Sequence, residues 1–538
     1  MAAIPATADH DAGTHHLQKV LRWWDGVTIN MAMPAALFVS LGFSILALGA
    51  WGAIVLWAIA AALATLHNWV YSEVAGMFPN KSGGVSLYAN EAWKRYSVFV
   101  GPLATFGYWF AWSSSLAIYG LLIGSLIQSQ WFPTATWVAF STGLVHVGLV
   151  QLIAIATIFV GWILNVLGIK PAVWVMYAMC ALLAIPVVAF GVFAFANWHS
   201  AGLHFAVGGA GQLGWRVAVA WLFVMSWSVF GIEATASFVP EFKDTIRDTR
   251  LALRFSALLV LAIYILVPLG VSGLAGEKMV DANPTSFYVA AFQKLAGGAS
   301  SLMTVCLIAG LVLLMLMTSA DCSRVLSQAA RDRLSITQLA KINRFNVPGR
   351  AMTLDLVVNV VLVLLVGNTL ALVVTGNFGY ILMHVFAVSG LILLRKDQPN
   401  AERPIKLSGA WLPIAGGLAA FDLVMLVVAA ASLGIIGYGG TKDLVIAIAV
   451  MAIAIVLYLF RTLVQDRAPL ILRDVGLVGR IVSGVGPDQT YGHGDDVAIA
   501  RGLERCRQVR QKVRPPHGNQ QVAWPGVDRG QARIGGMQ

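Results

Sequence analysis

A chain of 538 residues, 58% of them hydrophobic and only 11% charged, is not a string of soluble domains, which carry about 25% charged residues. The missing charge places most of the chain against lipid or against other apolar helices. The formal net charge of +11 does not call for nucleic acid, because basic loops on one side of a membrane set topology and meet anionic headgroups.

A spanning helix needs about 20 apolar residues. Twelve such stretches lie between Thr28 and Leu463, near 28–46, 51–75, 99–127, 136–166, 171–196, 214–239, 251–275, 299–322, 352–367, 369–394, 411–436 and 442–462. The expected fold class is therefore an all-α integral membrane protein with twelve transmembrane helices. The first 25 residues hold Asp9, His10, Asp11, His15, His16 and Asp25. No apolar run precedes the first span, so that span is expected to be retained rather than cleaved. Cys180, Cys306, Cys322 and Cys506 are scattered, with neither metal spacing nor a disulfide framework.

With the N-terminus inside, the loops on that side carry 20 Lys and Arg. The opposite side carries only Arg216, Lys278, Lys294 and Lys442. The tail from Arg461 adds 12 more inside. This asymmetry orients both termini to the cytoplasm. Three regions follow: a cytoplasmic segment 1–25, a twelve-helix domain 26–464, and a basic tail 465–538. The tail is rich in Arg, Gly, Asp and Gln and reads as mostly disordered.

Along the chain, the first span is interrupted at Met33-Pro34-Ala35-Ala36, where a proline removes a backbone donor. The connector after the second span runs Glu73-Val74-Ala75-Gly76-Met77-Phe78-Pro79, then Gly83-Gly84-Val85 and Tyr88. Its glycines permit a tight turn or a close backbone approach. The fifth span, Pro171 to Ala196, contains no lysine; Lys170 stands at its mouth. The sixth span carries Glu233 deep in the run Val217–Val239. A carboxylate at that depth costs roughly 2.5–3.5 kcal/mol to insert, so something inside the protein must compensate. Gly231 precedes it and weakens the helix. Interruptions at corresponding positions of two halves, about 26–196 and 212–394, point to a central site of the kind transporters use. After the eighth span come Ser323-Arg324, Ala330-Arg331-Asp332 and Leu339 to Asn343, closing in Pro348; after the tenth come Leu394-Arg395, Pro399, Arg403-Pro404 and Lys406.

Those four stretches, with Trp227-Ser228-Val229-Phe230-Gly231-Ile232-Glu233-Ala234, Glu241 and Arg247 as the sixth-span member, resemble the amino acid–polyamine–organocation (APC) superfamily of permeases. They cover roughly residues 23–410 in that family's order. The resemblance implies the leucine-transporter fold, a 5+5 inverted repeat with helices 1 and 6 broken and two further helices. It also implies secondary transport of amino acids or related amines by alternating access, and a bacterial amino acid permease type in the cytoplasmic membrane. The sequence departs from it at Pro34-Ala35-Ala36, where the family has a Gly-Ser-Gly-like triplet.

The substrate-binding candidates are Met33, Pro34, Ala35, Ala36 and Leu37 from the first break, with Trp227, Phe230, Gly231 and Ile232 from the sixth span. Free N–H groups at the first break suit a carboxylate; Ala35, Ala36 and Leu37 can still donate there. Free carbonyls at the second suit an ammonium. Trp227 lies six residues before Glu233, about 1.7 helical turns, where the family closes an aromatic over its substrate. Glu233 has two open roles, proton coupling or holding the broken helix. Thr318 and Ser319 in the eighth span could supply oxygens to a sodium ion. Arg324, Arg331 and Asp332 could close a cytoplasmic gate with Glu73 or Glu241. His67, His146 and His384 are expected to bond between helices rather than relay protons.

No catalytic residue, metal or cofactor is expected, beyond a coupling proton or sodium ion. The partners are a small-molecule substrate and the bilayer, with no nucleic acid, and the oligomeric state stays open. A polyamine or organic-cation carrier of the same fold is the alternative. A membrane-embedded transferase is disfavoured, because Glu233, Asp422, His146 and His384 lie on four different spans without motif spacing.

Overall fold

The computed structural model describes residues 19–135, 137–142, 145–208, 213–365, 369–432, 434–435 and 440–473. The first 18 residues, Cys506 and the tail beyond 473 lie outside the described residues, as do the side chains of His146 and Lys170.

The chain is almost all helix, as apolar sequence in lipid must be, since only a helix or a closed barrel satisfies its own backbone there. In order come α1 (Trp23–Asn30), α2 (Met33–Met77), α3 (Gly84–Trp93), α4 (Val100–Trp131), α5 (Leu149–Val166) and α6 (Ile169–Gly191). Then follow α7 (Gly214–Val229), a 3-10 helix (Phe230–Glu241), α8 (Thr245–Ala275), α9 (Glu277–Ala282), α10 (Phe287–Ala296) and α11 (Ser300–Arg331). The last four are α12 (Gly349–Leu365), α13 (Thr369–Asp397), α14 (Trp411–Ala431) and α15 (Thr441–Phe460). Among the described residues, 10 helices are long and apolar enough to cross a membrane.

The boundaries shift in three instructive places. The stretch expected to span 136–166 begins instead with an antiparallel hairpin, Val138–Ser141 against His146–Gly148, and turns helical only at Leu149. The connector between α8 and α11 holds two short helices that hydropathy did not show. And α11 runs nine residues past its expected end at 322, to Arg331, because its polar last turns are buried by the rest of the bundle.

Burial separates an inner set of helices from an outer one. The most apolar windows of Val100–Trp131 and of Gly214–Glu241 are each 89% buried, against 22% for Leu149–Val166 and 17% for Thr441–Gln465. The inner set therefore frames whatever lies at the centre, and the outer set faces lipid.

The α2 segment doubles back at Gly49, whose φ of +67° and ψ of 164° interrupt the helix. A Cβ there would lie 2.4 Å from the His204 carbonyl oxygen, so glycine answers both a left-handed backbone and a close approach. The loop from α6 to α7 is stitched onto this turn: Trp51 N–H donates to the His204 carbonyl at 3.0 Å, and Ala206 N–H to the Leu48 carbonyl at 2.8 Å. Glu277 ties the same turn from a third segment. Its carboxylate accepts from Ala50 N–H at 2.8 Å and from His204 N–H at 2.7 Å. Partial burial works against the charged form, but these two N–H groups and the His204 ring outweigh it and hold the Glu277 carboxyl below its ordinary range.

Because the folded value lies below the unfolded one of about 4.3, the stabilisation is complete above that pH and is lost as pH falls through the folded value. Glu277→Ala should therefore lower the apparent thermal unfolding midpoint at neutral pH, by the equivalent of about 1–2 kcal/mol. The difference from wild type should shrink in acid; a constant difference down to pH ~3 would assign the effect to lost packing instead.

Candidate functional site

The first helix breaks, but not where the proline suggests. α1 ends at Asn30, Met31 and Ala32 form the turn, and α2 restarts at Met33. Pro34 thus sits in the first turn of α2, where a missing N–H costs nothing, so it starts a helix rather than interrupting one. Ala35 N–H is already used, donating to the Ala32 carbonyl at 3.0 Å, and Ala36 and Leu37 lie within the restarted helix. The supply of free donors expected from Ala35 onward is correspondingly smaller. At the break itself stands Asn30, a residue the sequence reading passed over. It is fully buried, and neither its amide nitrogen nor its oxygen has a hydrogen-bond partner.

The sixth span breaks differently. It is α-helical to Val229, then continues as a 12-residue 3-10 helix from Phe230 to Glu241. Runs of 3-10 helix beyond three or four residues are uncommon and mark strain or function. The two breaks meet. The Tyr264 hydroxyl of α8 lies 2.8 Å from the Met33 carbonyl oxygen and 2.8 Å from that of Ser228. The Ser228 hydroxyl reaches back to the Ala36 carbonyl at 3.3 Å. Gly231 is where the Met33 and Trp112 side chains pack directly onto the backbone of the sixth span. A Cβ added there would fall 2.2 Å from the Met33 sulfur and 2.3 Å from the Trp112 ring.

Of the predicted binding residues, Met33 and Gly231 therefore come together. Pro34, Ala35, Ala36, Leu37, Phe230 and Ile232 are buried beside them. Trp227 stacks on Trp112 at 6.5 Å and lies 6.0 Å from Tyr119. Its indole N–H has no partner. Of the two eighth-span hydroxyls, Thr318 stays beside this group and Ser319 turns away from it. The Thr318 hydroxyl faces Tyr119. Ser319 lines a cavity of about 10 Å³ with Gly161, Trp162 and Met352, toward α5 and α12.

Glu233 sits in a polar pocket of its own. It accepts a hydrogen bond from the Tyr380 hydroxyl, while its second oxygen has no partner. His384 Nε2 stands 3.8 Å away, and His384 Nδ1 is 2.5 Å from the Tyr71 hydroxyl. A second buried carboxylate, Asp321 of α11, accepts from the Tyr108 hydroxyl at 2.7 Å. The Tyr108 and Tyr380 rings are 5.8 Å apart. Both histidines with described side chains do bond between helices as expected: His67 pairs with Asp422 at 2.8 Å. Glu233, His384 and Asp422, which sequence left scattered over separate spans, are thus brought into one neighbourhood with His67.

At the end carrying the charged connectors, Arg324 grips Glu241 through two bonds of 2.6 and 3.2 Å, both side chains 1% exposed. Its guanidinium also lies 4.6 Å over the Phe238 ring. Here the predicted gate pair is present. The rest of that prediction needs correcting. Glu73 pairs with Arg395 at 2.9 and 2.5 Å and accepts Leu407 N–H, while Asp332 turns to Gln328 and Lys81. The chain before α1 closes over the same end: Val20 and Leu21 N–H both donate to the Glu241 carbonyl at 2.9 Å.

Gly231→Ala should overpack this junction by about 1–3 kcal/mol and lower the apparent unfolding midpoint. The same change at Gly298, where a Cβ meets nothing within 4 Å, is the control. Equal midpoints for the two variants would mean that the breaks are not tightly joined.

A model of the amino acid permease family matches residues 26–461, from within α1 to just past the end of α15. It is a family of transporters, not of enzymes. With its many apolar helices, the chain is a multi-pass membrane protein and belongs to the amino acid permease family of the APC superfamily.

Proposed function

We propose that this permease is a secondary transporter that moves an amino acid across the cytoplasmic membrane by alternating access, with the substrate held where the first and sixth spans break. The observation that carries this reading is Asn30. A fully buried amide with no partner, placed at the break of α1 and α2, offers both a donor and an acceptor to a ligand, and such a group is costly to keep without a use. The 10 helices among the described residues that are long and apolar enough to cross a membrane become twelve spans when the first is divided at Gly49 and the 17-residue α12 is counted. The leading break of each half then falls in spans one and six, as a 5+5 inverted repeat requires. The basic loops support an inside position for both termini and for the Arg324–Glu241 pair.

Coupling runs through Glu233, whose free oxygen and hydroxyl partner suit a group that gains and loses a proton. Sodium at Thr318 and Ser319 has less support, since the two hydroxyls do not converge: Thr318 faces Tyr119 of α4, while Ser319 lines a cavity toward α5 and α12. A polyamine or other organic cation is the second reading of the substrate. It is favoured by the unpartnered second oxygen of the Glu233 carboxylate and by the engagement of the Ala35 N–H within the chain.

Counterflow in proteoliposomes against a panel of amino acids and polyamines tests the function; no exchange for any of them would overturn it. Asn30→Ala breaks no intramolecular hydrogen bond, so its unfolding midpoint should match or exceed the wild type's, within about 0.5 kcal/mol, while exchange is lost. A large loss of stability would make Asn30 structural. Glu233→Gln should keep counterflow and lose accumulation driven by a pH gradient. Retained accumulation would remove the proton from Glu233.

A further inference from the structure

His67 and Asp422 border the Glu233 pocket but are given no role in substrate binding or coupling, and their geometry is peculiar. Both are buried, at 1% and 0% exposure. His67 Nδ1 is 2.7 Å from the Leu63 carbonyl oxygen, and Nε2 is 2.8 Å from Asp422 Oδ2. A carbonyl oxygen only accepts, and an ionised carboxylate only accepts. A neutral imidazole has one N–H and one bare nitrogen. Either tautomer of neutral His67 would therefore press a bare nitrogen against an oxygen lone pair at under 3 Å. The observed geometry needs one more proton, either on His67 as imidazolium or on Asp422 as carboxylic acid donating to Nε2. In both forms the pair is neutral overall and holds a single proton between Nε2 and Oδ2.

The pair joins two helices, α2 through His67 and α14 through Asp422. We propose that it is a proton-dependent latch: with the proton bound, both ring nitrogens are satisfied and α2 is held against α14; when the proton leaves to water, one ring nitrogen must face an oxygen bare, so His67 gives up either Asp422 or the Leu63 carbonyl and its hold on α14 weakens. The balance is one proton and one charge: neutral imidazole plus carboxylate takes up H⁺ to give the neutral latched pair, and release restores the net charge of −1.

The surroundings support a latch that answers to its neighbours. On His67's own helix the next turn presents Tyr71; α13 presents His384, its ring 5.6 Å from that of His67, and Tyr380; the 3-10 helix presents Glu233. The Phe230 ring packs 4.6 Å from His67 and 4.9 Å from His384. From α8 the nearest cation is Arg254, bonded to Ser72 one turn further on. α7 brings only Arg216, which is bonded to Ser432. No cation compensates Asp422 other than His67 among these, and its second oxygen has no partner. The extra proton is thus what lets His67 hold both oxygens at once, and the Glu233 carboxylate stands beside the same cluster, 3.8 Å from His384 Nε2.

The latch is independent of which substrate is carried, so its test needs none. Hydrogen–deuterium exchange of the full chain in lipid nanodiscs is followed over residues 59–71 of α2, from about pH 5 to about pH 10, spanning histidine's ordinary value of about 6.5, and corrected for intrinsic exchange. Wild type should lose about tenfold protection as pH rises, the factor one charge-assisted hydrogen bond carries. In Asp422→Asn the amide N–H donates to bare Nε2 at every pH, so protection should stay high and flat. His67→Gln, whose amide donates to the carboxylate without titrating, should also be flat and serves if the first variant does not fold. Wild-type protection that does not change with pH, or variants that follow the wild-type curve, would overturn the latch. Exchange of this kind leaves the transport reading untouched, since counterflow alone decides that.

Discussion

The Tyr264 hydroxyl stands between the Met33 and Ser228 carbonyls, and the centre of the molecule is arranged around that contact. Breaking a helix inside a membrane strands backbone groups that lipid cannot satisfy. Two breaks facing each other double the problem. One phenol from α8 answers part of it for both, and the Ser228 hydroxyl with the Ala36 carbonyl adds to it. Gly231 fits beside this contact because the Met33 sulfur and the Trp112 ring occupy the space where a side chain would stand.

The same economy governs the buried charges. Glu241 and Glu73 at one end each receive an arginine through two bonds, the geometry in which an arginine–carboxylate pair is strongest. Removing one partner of such a pair strands the other, at about 3–5 kcal/mol. Opening that end therefore needs the pairs to separate into water, not into lipid. At the opposite end the ties are neutral or singly charged: Glu277 on two N–H groups, and Tyr288 packed edge-on against Phe38, whose carbonyl accepts its hydroxyl at 2.9 Å. With both ends tied, either can give way only at the cost of named bonds, which is what a carrier needs if it is never to open on both sides at once.

The sequence carried the helical membrane fold plainly, since long apolar runs have few other solutions. It also carried Glu233 and the Arg324–Glu241 pair, because charges in apolar surroundings are conspicuous. It misplaced the first break. Pro34 looks like an interruption when read one residue at a time, yet a proline is as well suited to beginning a helix as to ending one, and only the turn at Met31–Ala32 decides. The 3-10 character after Val229 has no periodic signature. Asn30, Tyr264 and Tyr380 went unremarked because single polar residues in membrane helices are common. What distinguishes them is a partner, or the lack of one, hundreds of positions away. The pairing of His67 with Asp422, separated by 355 residues, is of the same kind.

Glu233 is the point where these threads join. Its cost of burial argued for a partner, and the partner is a tyrosine rather than a cation. A phenol donates one hydrogen bond and adds no charge, so the carboxyl can be ionised or protonated without dismantling its surroundings. An arginine, as at Glu73 or Glu241, would lock it in one state. The difference separates two kinds among the buried carboxylates: Glu73 and Glu241, gripped by arginine at the end of the bundle, and Glu233 and Asp321, bonded to tyrosines at its centre. Asp422 belongs with the second kind, because its partner is an imidazole, and an imidazole is the one basic side chain whose charge is itself conditional.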